Sequence, residues 1–321
     1  MAFLTNLNSK DFNTICINYN LPNFKKIIPI YEGIQNSNFI ILGDKKYILT
    51  IYEDKNLIKN IDKYMELLNF FNKNSFNCPI PIKNKKNKYT SYFKNKKYGI
   101  FTFLKGKYLQ RYSNKHLINL GINLAIMHNY TRSSSLKINN YFNNSFYKIN
   151  MNKHKKYIIN YDRLLIKHFE TSLKKYFNMN KQKLPYGIIH GDLFPDNVLF
   201  FKGKISGFID FYYACNSYLI SDIAIILISW CFNYKEKKLF LNLSKVKNLF
   251  IGYNKYRNIE KNELKILNLL CQIYCIRFFF TRLNDKNMDH NPKYIQIKNP
   301  NEFLEKYLYF KNNEINFMDI I

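Results

Sequence analysis

Residues 186–210 read YGIIHGDLFPDNVLFFKGKISGFID, and most of what the sequence indicates about its fold begins with this segment. The chain has 321 residues but only ten glycines, and four of them lie here: Gly187, Gly191, Gly203 and Gly207. Glycine adopts backbone conformations that other residues avoid, so this clustering indicates turns of demanding geometry. We predict a short apolar strand, a loop, and then two short strands joined by a turn at Lys202-Gly203.

The same segment carries three side chains with oxygen ligands at distinctive positions. Asp192 lies on the predicted loop, Asn197 follows it, and Asp210 ends the strand Ile205–Ile209. Pairing of the two strands would bring Asn197 and Asp210 side by side, where an amide and a carboxylate oxygen suit Mg²⁺. In kinase phosphoryl transfer, one Asp orients the attacking hydroxyl while an Asn and a second Asp hold metal-bound ATP. The alternative is an Asp- and Asn-rich turn without chemistry; the full spacing H-G-D-x-x-x-D-N with the downstream I-D-F favours the kinase interpretation.

Residues 1–104 have the pattern of a mostly antiparallel sheet with one substantial helix. Gly43-Asp44 between two apolar runs is a strong hairpin signal. Apolar residues recur at helical spacing after Leu57. The predicted elements are a helix from Ser9 to about Asn20, strands Ile27–Tyr31, Asn38–Leu42 and Lys46–Tyr52, a helix Leu57–Asn72, and strands Thr90–Phe93 and Tyr98–Leu104.

The sequence after Gly106 changes to helical spacing. The predicted helices are Asn114–Asn129, Lys153–Asn180, Tyr218–Phe232, Lys235–Tyr253 and Glu260–Leu283, with Tyr130–Asn150 as a long polar loop. We therefore expect an α+β fold with a sheet lobe at 1–104 and a mostly helical lobe at 105–321. The two lobes would form one domain, with its core at about 27–255 and a cleft between the lobes.

The composition is strongly basic, with 50 Lys and Arg against 22 Asp and Glu and a formal net charge of +28. Only six of the basic residues are Arg, and the abundant residue types have A/T-rich codons, so the charge indicates genomic drift on a solvated surface. A phosphate-binding face would favour Arg for its bidentate geometry, so the scarcity of Arg disfavours a nucleic-acid partner.

The six cysteines form no C-x-x-C pair, residues 1–20 lack a signal-like apolar run, and the apolar run 223–232 is too short for a membrane span. We expect a cytoplasmic protein with reduced thiols and no membrane partner.

The central segment and its surroundings resemble the aminoglycoside-phosphotransferase and choline-kinase superfamily. The protein-kinase-like fold of that superfamily acts on hydroxyls of small molecules. The resemblance extends along almost the whole chain. The motif from His190 to Asp210 identifies only the superfamily, whereas other stretches are most similar to its homoserine kinase branch. Those stretches are Phe194-Pro195, Asp210-Phe-Tyr-Tyr-Ala-Cys215, Trp230-Cys231 and Thr281-Arg282-Leu283.

The resemblance implies specific roles for the residues of the central segment. Asp192 would be the catalytic base, and Asn197 with Asp210 would be the Mg²⁺ ligands. His190 and Asp222 would support the catalytic loop structurally. The turn Glu32–Asn38 would cover the phosphates of ATP, and the hinge Thr102–Leu104 would offer backbone hydrogen bonds to adenine. The nucleotide-binding residues implied in this way are Gly33, Asn36, Ser37, Asn38, Thr102 and Leu104.

Three positions, Thr50, Glu66 and Arg282, leave questions open. Kinases of this fold usually carry a Lys on the third strand, whereas this chain has Thr50 there, so the cationic contact to phosphate is unassigned. Lys45 and Lys46 are expected to be solvated, and the role of Glu66 on the helix is open. For the substrate we hypothesise that Arg282 clamps a carboxylate, since a guanidinium can bind one bidentately; the alternative is a salt bridge.

The resemblance implies ATP- and Mg²⁺-dependent phosphorylation of the side-chain hydroxyl of L-homoserine to O-phospho-L-homoserine, a step of threonine biosynthesis. Three alternatives remain at this stage. One is a kinase for choline, methylthioribose or an aminoglycoside, and another is a nucleotide-binding relative without turnover, which Thr50 suggests. The third is a basic nucleic-acid binder, with steeply salt-dependent affinity. The sequence gives no oligomeric state.

Overall fold

The antiparallel sheet expected in the N-terminal part is present in the computed structural model. The structure describes residues 5–21, 24–30, 36–53, 60–180, 182–236, 238–286 and 298–320. Its largest sheet has the strand order β1-β2-β3-β5-β4, and each neighbouring pair is antiparallel. The five strands are Lys26–Ile30 (β1), Asn36–Leu42 (β2), Lys46–Tyr52 (β3), Thr90–Phe93 (β4) and Lys96–Thr102 (β5). Leu42 pairs with Lys46 across Gly43-Asp44, which confirms the predicted hairpin.

Two helices accompany this sheet. Helix α1 (Ser9–Asn18) buries Phe12, Ile15 and Cys16 in one cluster with sheet residues such as Leu49. Helix α2 (Ile61–Lys73) buries apolar residues at positions three and four apart, as its sequence period predicted. Positions 57–59 of the predicted helix lie outside the described residues.

The chain divides into two compact units, and the division differs from a single cut after residue 104. The first unit comprises the described residues up to Lys105, together with Ser206–Tyr212 and a short stretch beginning at Asp285. Residues 206–212 belong there because Phe208 N donates to Asn77 O at 3.2 Å. The Phe211 and Phe71 rings also pack 5.3 Å apart between centroids. A segment that the sequence placed in the helical lobe thus packs with the sheet unit.

The second unit is mostly helical, as expected. Its eight helices among the described residues are Asn114–Arg132 (α3), Asn144–Lys153 (α4), Lys155–Tyr161 (α5), Leu165–Asn178 (α6), Ile220–Trp230 (α7), Leu243–Asn254 (α8), Lys261–Lys286 (α9) and Asn301–Asn312 (α10). The chain has six further short strands among the described residues: Tyr186–Ile189 (β6), Val198–Phe201 (β7), Lys204–Phe208 (β8), Cys215–Tyr218 (β9), Phe232–Lys235 (β10) and Lys238–Leu241 (β11). One of them, β8, continues into the first unit from Ser206.

Several predicted boundaries in this part are wrong. The helix predicted at Lys153–Asn180 is interrupted at Asp162, whose carboxylate accepts from Leu164 N at 2.8 Å and so closes a local turn. The predicted loop Tyr130–Asn150 contains the start of α4, capped by the Asn143 side chain. Lys235 and residues 238–241 belong to the paired antiparallel strands β10 and β11 rather than to the start of a helix. Helix α10 was not predicted.

Helix α9 is the longest helix among the described residues, and all but its last two residues belong to the second unit. It has 26 residues and is apolar enough by length and composition to cross a membrane. Most of its apolar residues are buried, among them Leu267, Cys271 and Phe279. Burial of this kind is expected of the core helix of a globular unit.

Candidate active site

The loop that follows β6 depends on a glycine with left-handed backbone geometry. Gly191 has φ +77°, and a Cβ placed on it would lie 2.4 Å from the carbonyl oxygen of Tyr213. Both the dihedral and the close approach exclude other residues. Gly191 therefore sets the path of the chain between His190, which is fully buried, and Asp192.

The carboxylate of Asp222 holds this loop by its backbone. Asp222 lies in the first turn of α7 and accepts hydrogen bonds from His190 N and Gly191 N, each at 2.8 Å. A third bond joins it to His128 Nε2 at 3.0 Å. Burial opposes ionisation, but the bonds from His128 and Gly191 outweigh it and keep the pKa of Asp222 below its ordinary value.

A buried chain of polar groups continues behind Asp222. The Tyr253 hydroxyl lies 2.7 Å from His128 Nδ1 and receives a bond from Arg257 Nη1 at 2.9 Å. Since Arg can only donate, the single hydroxyl proton of Tyr253 goes to His128 Nδ1. His128 is then the neutral tautomer with its proton on Nε2, directed at Asp222, and burial correspondingly lowers the pKa of His128. Arg257 is paired with Glu263 at 2.7 Å, which ends the chain.

Asp192 and Asn197 are linked within the second unit. The Asn197 Nδ2 group donates to Asp192 O at 2.7 Å and to Asp192 Oδ2 at 3.2 Å. This orientation leaves Oδ1 as the amide atom available to a cation. Burial raises the pKa of Asp192 to about 6, although the nearby guanidinium of Arg277 opposes the rise. A carboxylate with a pKa near neutrality is suited to accept a proton during catalysis.

Asp210 belongs to the first unit, where it follows β8. It is exposed and has φ +64°, a left-handed conformation that is uncommon for residues other than glycine. Strain of this kind is often retained at functional positions. The negative charge of Asp210 also contributes to the raised pKa of the neighbouring Tyr212, after burial.

The residue types predicted as ligands, one Asn and one Asp, are chemically suited to a hard divalent cation. An Asn carbonyl and an exposed Asp carboxylate are the donor types that Mg²⁺ takes alongside phosphate and water. Within the described part of the chain, no three His, Cys, Asp or Glu side chains come together as an all-protein metal site.

The residues predicted to bind nucleotide occupy strand ends rather than one loop. Gly33 lies outside the described residues. Asn36, Ser37 and Asn38 are already part of β2, so the strand begins earlier than predicted. The Ser37 side chain is buried and its hydroxyl donates to Glu53 Oε1 at 2.5 Å. Asn38 faces Thr50 on β3, and the Thr50 hydroxyl donates to Asn38 Oδ1 at 2.8 Å.

The predicted hinge lies at the end of β5, where the first unit ends. Thr102 N donates to Ile80 O and the Thr102 hydroxyl accepts from Ile80 N, both at 2.9 Å. Leu104 follows immediately and is half-buried. These bonds fix the backbone of Thr102.

Arg282 has an acidic partner in the second unit. Its Nη1 donates to Glu302 Oε2 at 2.6 Å and to Asn299 O at 2.8 Å. Burial would raise the pKa of Glu302, but Lys306 and Arg282 together lower it to about 2. The structure thus shows the salt bridge that the sequence left open as the alternative to a carboxylate clamp.

Sequence reasoning gave no role to His128 or to Arg277. His128 lies in a stretch that the resemblance covers, but nothing in the sequence shows that it faces Asp222. Arg277 Nη1 donates to Gly191 O, so this side chain contacts the residue directly before Asp192. Its signal in the sequence is only the scarcity of arginine.

Comparison with known proteins places the geometry in a family. A sequence profile described as the phosphotransferase enzyme family matches residues 26–237. The chain belongs to this phosphotransferase family. The homoserine kinase of Parvibaculum lavamentivorans is 30% identical to it over 313 residues, which cover 97% of this chain and 96% of the relative. The homoserine kinase of Agrobacterium fabrum is 30% identical over 312 residues, covering 97% and 96%.

Solved structures agree with this phosphotransferase in fold. An amicoumacin kinase in complex with AMP-PNP, Ca²⁺ and Ami has a TM-score of 0.72 at 14% identity, covering 95% of this chain and 92% of that chain. The GDP complex of aminoglycoside 2′-phosphotransferase-IIIa has a TM-score of 0.66 at 14% identity, covering 96% and 100%. The expected two-part α+β, protein-kinase-like fold is thereby confirmed.

Proposed function

We propose that this phosphotransferase transfers the γ-phosphoryl group of ATP to the side-chain hydroxyl of L-homoserine, giving O-phospho-L-homoserine and ADP. The observation that carries the proposal is the loop at 190–197, in which a half-buried Asp192 with a raised pKa is held by Asn197 and by the backbone bonds to Asp222. Homoserine is chosen as the substrate because the relatives that are 30% identical over nearly the full chain are named homoserine kinases. The product is an intermediate of threonine biosynthesis.

In the proposed reaction Asp192 receives the proton of the substrate hydroxyl. The hydroxyl oxygen forms a bond to the γ-phosphorus as the bond from that phosphorus to the bridging oxygen breaks, and ADP leaves. The ordered loop holds Asp192 where the hydroxyl binds, and such positioning supplies much of the rate in reactions of this type. His190 and Asp222 support the loop without touching the reacting atoms.

Asn197 and Asp210 would hold Mg²⁺ through oxygen atoms. When bound, the ion neutralises part of the charge on the phosphates. For the nucleotide we propose Gly33, Asn36, Ser37 and Asn38 near the phosphates and the backbone of Thr102 and Leu104 at adenine. The enzyme would act in the cytoplasm on a small molecule.

The test is ADP release by the purified protein with Mg²⁺ and ATP. L-homoserine, L-serine, L-threonine, choline, methylthioribose and kanamycin are offered in parallel. We expect turnover with homoserine that far exceeds the others, and Asp192→Asn should abolish it while thermal unfolding stays unchanged. Turnover confined to another hydroxyl, or ATP binding without turnover of any substrate, would contradict the proposal.

A further inference from the structure

Three of the six arginines are buried, and one of them differs from the other two. The exposed fractions of Arg257, Arg277 and Arg282 are 6%, 2% and 9%. Arg257 is paired with Glu263 at 2.7 Å, and Arg282 with Glu302 at 2.6 Å. Among the described residues, no carboxylate forms a salt bridge with Arg277, although it is the most buried of the three. A buried charge without a hydrogen-bonded acidic partner is expensive, so this guanidinium calls for an explanation.

The surroundings of Arg277 are aromatic. Its Cζ lies 3.6 Å from the ring centroid of Phe142 and 4.5 Å from that of Phe278, with Tyr213 at 5.2 Å. Such rings attract a cation and exclude water, but they accept no strong hydrogen bonds in the guanidinium plane. Its one hydrogen bond with the described residues runs from Nη1 to Gly191 O.

The two remaining nitrogens lie on one edge of the guanidinium. Nε is buried and has no acceptor among the described residues, and Nη2 likewise donates to none of them. The Nε–Nη2 edge is a pair of parallel donors that matches the two oxygens of a carboxylate. This edge belongs to a side chain bonded to the residue that directly precedes Asp192.

We propose that Arg277, through its Nε–Nη2 edge, binds the α-carboxylate of the amino-acid substrate while Asp192 receives the hydroxyl. The inference rests on the proposed function and specifies its substrate class as hydroxy amino acids. In homoserine only three carbon–carbon bonds separate the hydroxyl-bearing carbon from the carboxylate carbon. A cation adjacent to the base is therefore at the place that a short substrate requires.

A purely structural role would explain less. Holding Gly191 O needs only one neutral donor. The charge of Arg277 also favours the ionised form of Asp192, but the two form no salt bridge, and Nε keeps no acceptor among the described residues. The pairing of Arg257 and Arg282 with glutamates shows that buried arginines in this unit otherwise receive a carboxylate from the protein. In the proposed complex, the substrate supplies the carboxylate that pairs with Arg277.

The experiment compares two substrates in matched variants. L-homoserine carries the carboxylate, and 3-aminopropan-1-ol is the same molecule without it. Arg277→Gln keeps an N–H donor for Gly191 O and removes the charge, whereas Arg277→Lys keeps the charge and removes the parallel donors. The readout is the ratio of kcat/KM for homoserine to kcat/KM for 3-aminopropan-1-ol, which does not depend on the fraction of folded enzyme.

We expect Arg277→Gln to lower this ratio about 30-fold or more, as expected when one partner of a buried charge pair is removed. Arg277→Lys should recover part of it. As a second measurement, inhibition by L-2-aminobutyrate, which has the carboxylate but no hydroxyl, should weaken by a similar factor.

Three results would overturn the inference. An unchanged ratio, with both substrates losing activity equally, would mean that Arg277 acts only on the loop. A collapse of the ratio in Arg282→Gln instead would place the carboxylate at Arg282. Failure of the wild-type enzyme to phosphorylate homoserine would remove the proposed function itself, which is distinct from the first two results because those require an active wild type.

Discussion

At the scale of single residues, the chemistry depends on how Gly191 and Asp222 fix the backbone around Asp192. The left-handed Gly191 turns the chain, and the Asp222 carboxylate accepts from the N–H groups of His190 and of Gly191 itself. Asp192 is thus positioned by the backbone of the residues before it and by the hydrogen bond from Asn197 Nδ2 to its own carboxylate. Burial of the Asp192 carboxylate then raises its pKa.

The pH dependence of the reaction follows from that burial. In the proposed role as base, Asp192 must be ionised to accept a proton, and its pKa is raised to about 6. We therefore expect kcat/KM to fall about tenfold per pH unit below pH 6 and to level off above it. Arg277→Gln removes a positive charge that lowers this pKa, so its acid limb should move to higher pH. A wild-type limb near pH 4 would contradict the assignment of Asp192 as the base.

The exposed carboxylate of Asp210 allows its proposed role as a Mg²⁺ ligand to be separated from any effect on stability. Because its side chain is exposed, Asp210→Asn should leave the free energy of unfolding within about 0.5 kcal/mol of the wild type. The loss of the carboxylate should nevertheless raise the Mg²⁺ concentration needed for half-maximal activity at least tenfold. Titrating activity with Mg²⁺ and melting both proteins measures the two effects. Normal Mg²⁺ dependence would count against Asp210 as a ligand.

At the scale of elements, helices α3 and α8 approach each other closely through glycines. A Cβ on Gly121 would lie 2.3 Å from Leu249 O, and one on Gly252 would lie 2.0 Å from Ile118 O. The obstructing atoms are backbone, so an added methyl group would force the helices apart. We expect Gly121→Ala and Gly252→Ala each to cost about 3 kcal/mol of the free energy of unfolding, measured with urea. Lys115→Ala, on the exposed part of α3, is the control and should change little.

A buried ion pair, Arg257 with Glu263, lies at the start of α9. Arg257 and Glu263 are both buried, so Glu263→Gln leaves the guanidinium without its carboxylate. We expect a loss of about 3 kcal/mol in the free energy of unfolding. The double variant Arg257→Met with Glu263→Leu should recover most of that loss, and exposed Glu260→Gln serves as the control. Equal losses in the single and double variants would show that the pair itself is not what matters.

At the scale of the whole molecule, the sequence predicted what short-range patterns encode. The hairpin at Gly43-Asp44 and the sheet of the first unit follow from local turn chemistry and apolar alternation. The β10–β11 hairpin was missed because the residue that follows β10 is Glu236 rather than the Gly or Asn that usually signals a hairpin turn. The interruption of the predicted 153–180 helix was missed because Lys and Asn are so common throughout the chain that the turn signal at Asp162 does not stand out.

The remaining differences between the predicted and the observed structure arise from contacts between residues that are far apart in the sequence. Whether residues 206–212 pack with the sheet depends on contacts with Phe71 and Asn77, more than a hundred positions away. The partners of Arg277 and Arg282, which lie five positions apart on one helix, differ for the same reason. A single sequence gives the residue types of the site but not which arginine has a carboxylate beside it.

The most direct test of the account is the identity of the phosphorylated product. The enzyme is incubated with Mg²⁺, ATP and L-homoserine, and the mixture is followed by ³¹P NMR. We predict a new phosphomonoester resonance, split into a triplet by the two protons of the adjacent CH₂ group, which grows as ADP appears and is missing with Asp192→Asn. Release of inorganic phosphate alone, or an ester signal of equal size with Asp192→Asn, would contradict transfer to the homoserine hydroxyl by this loop.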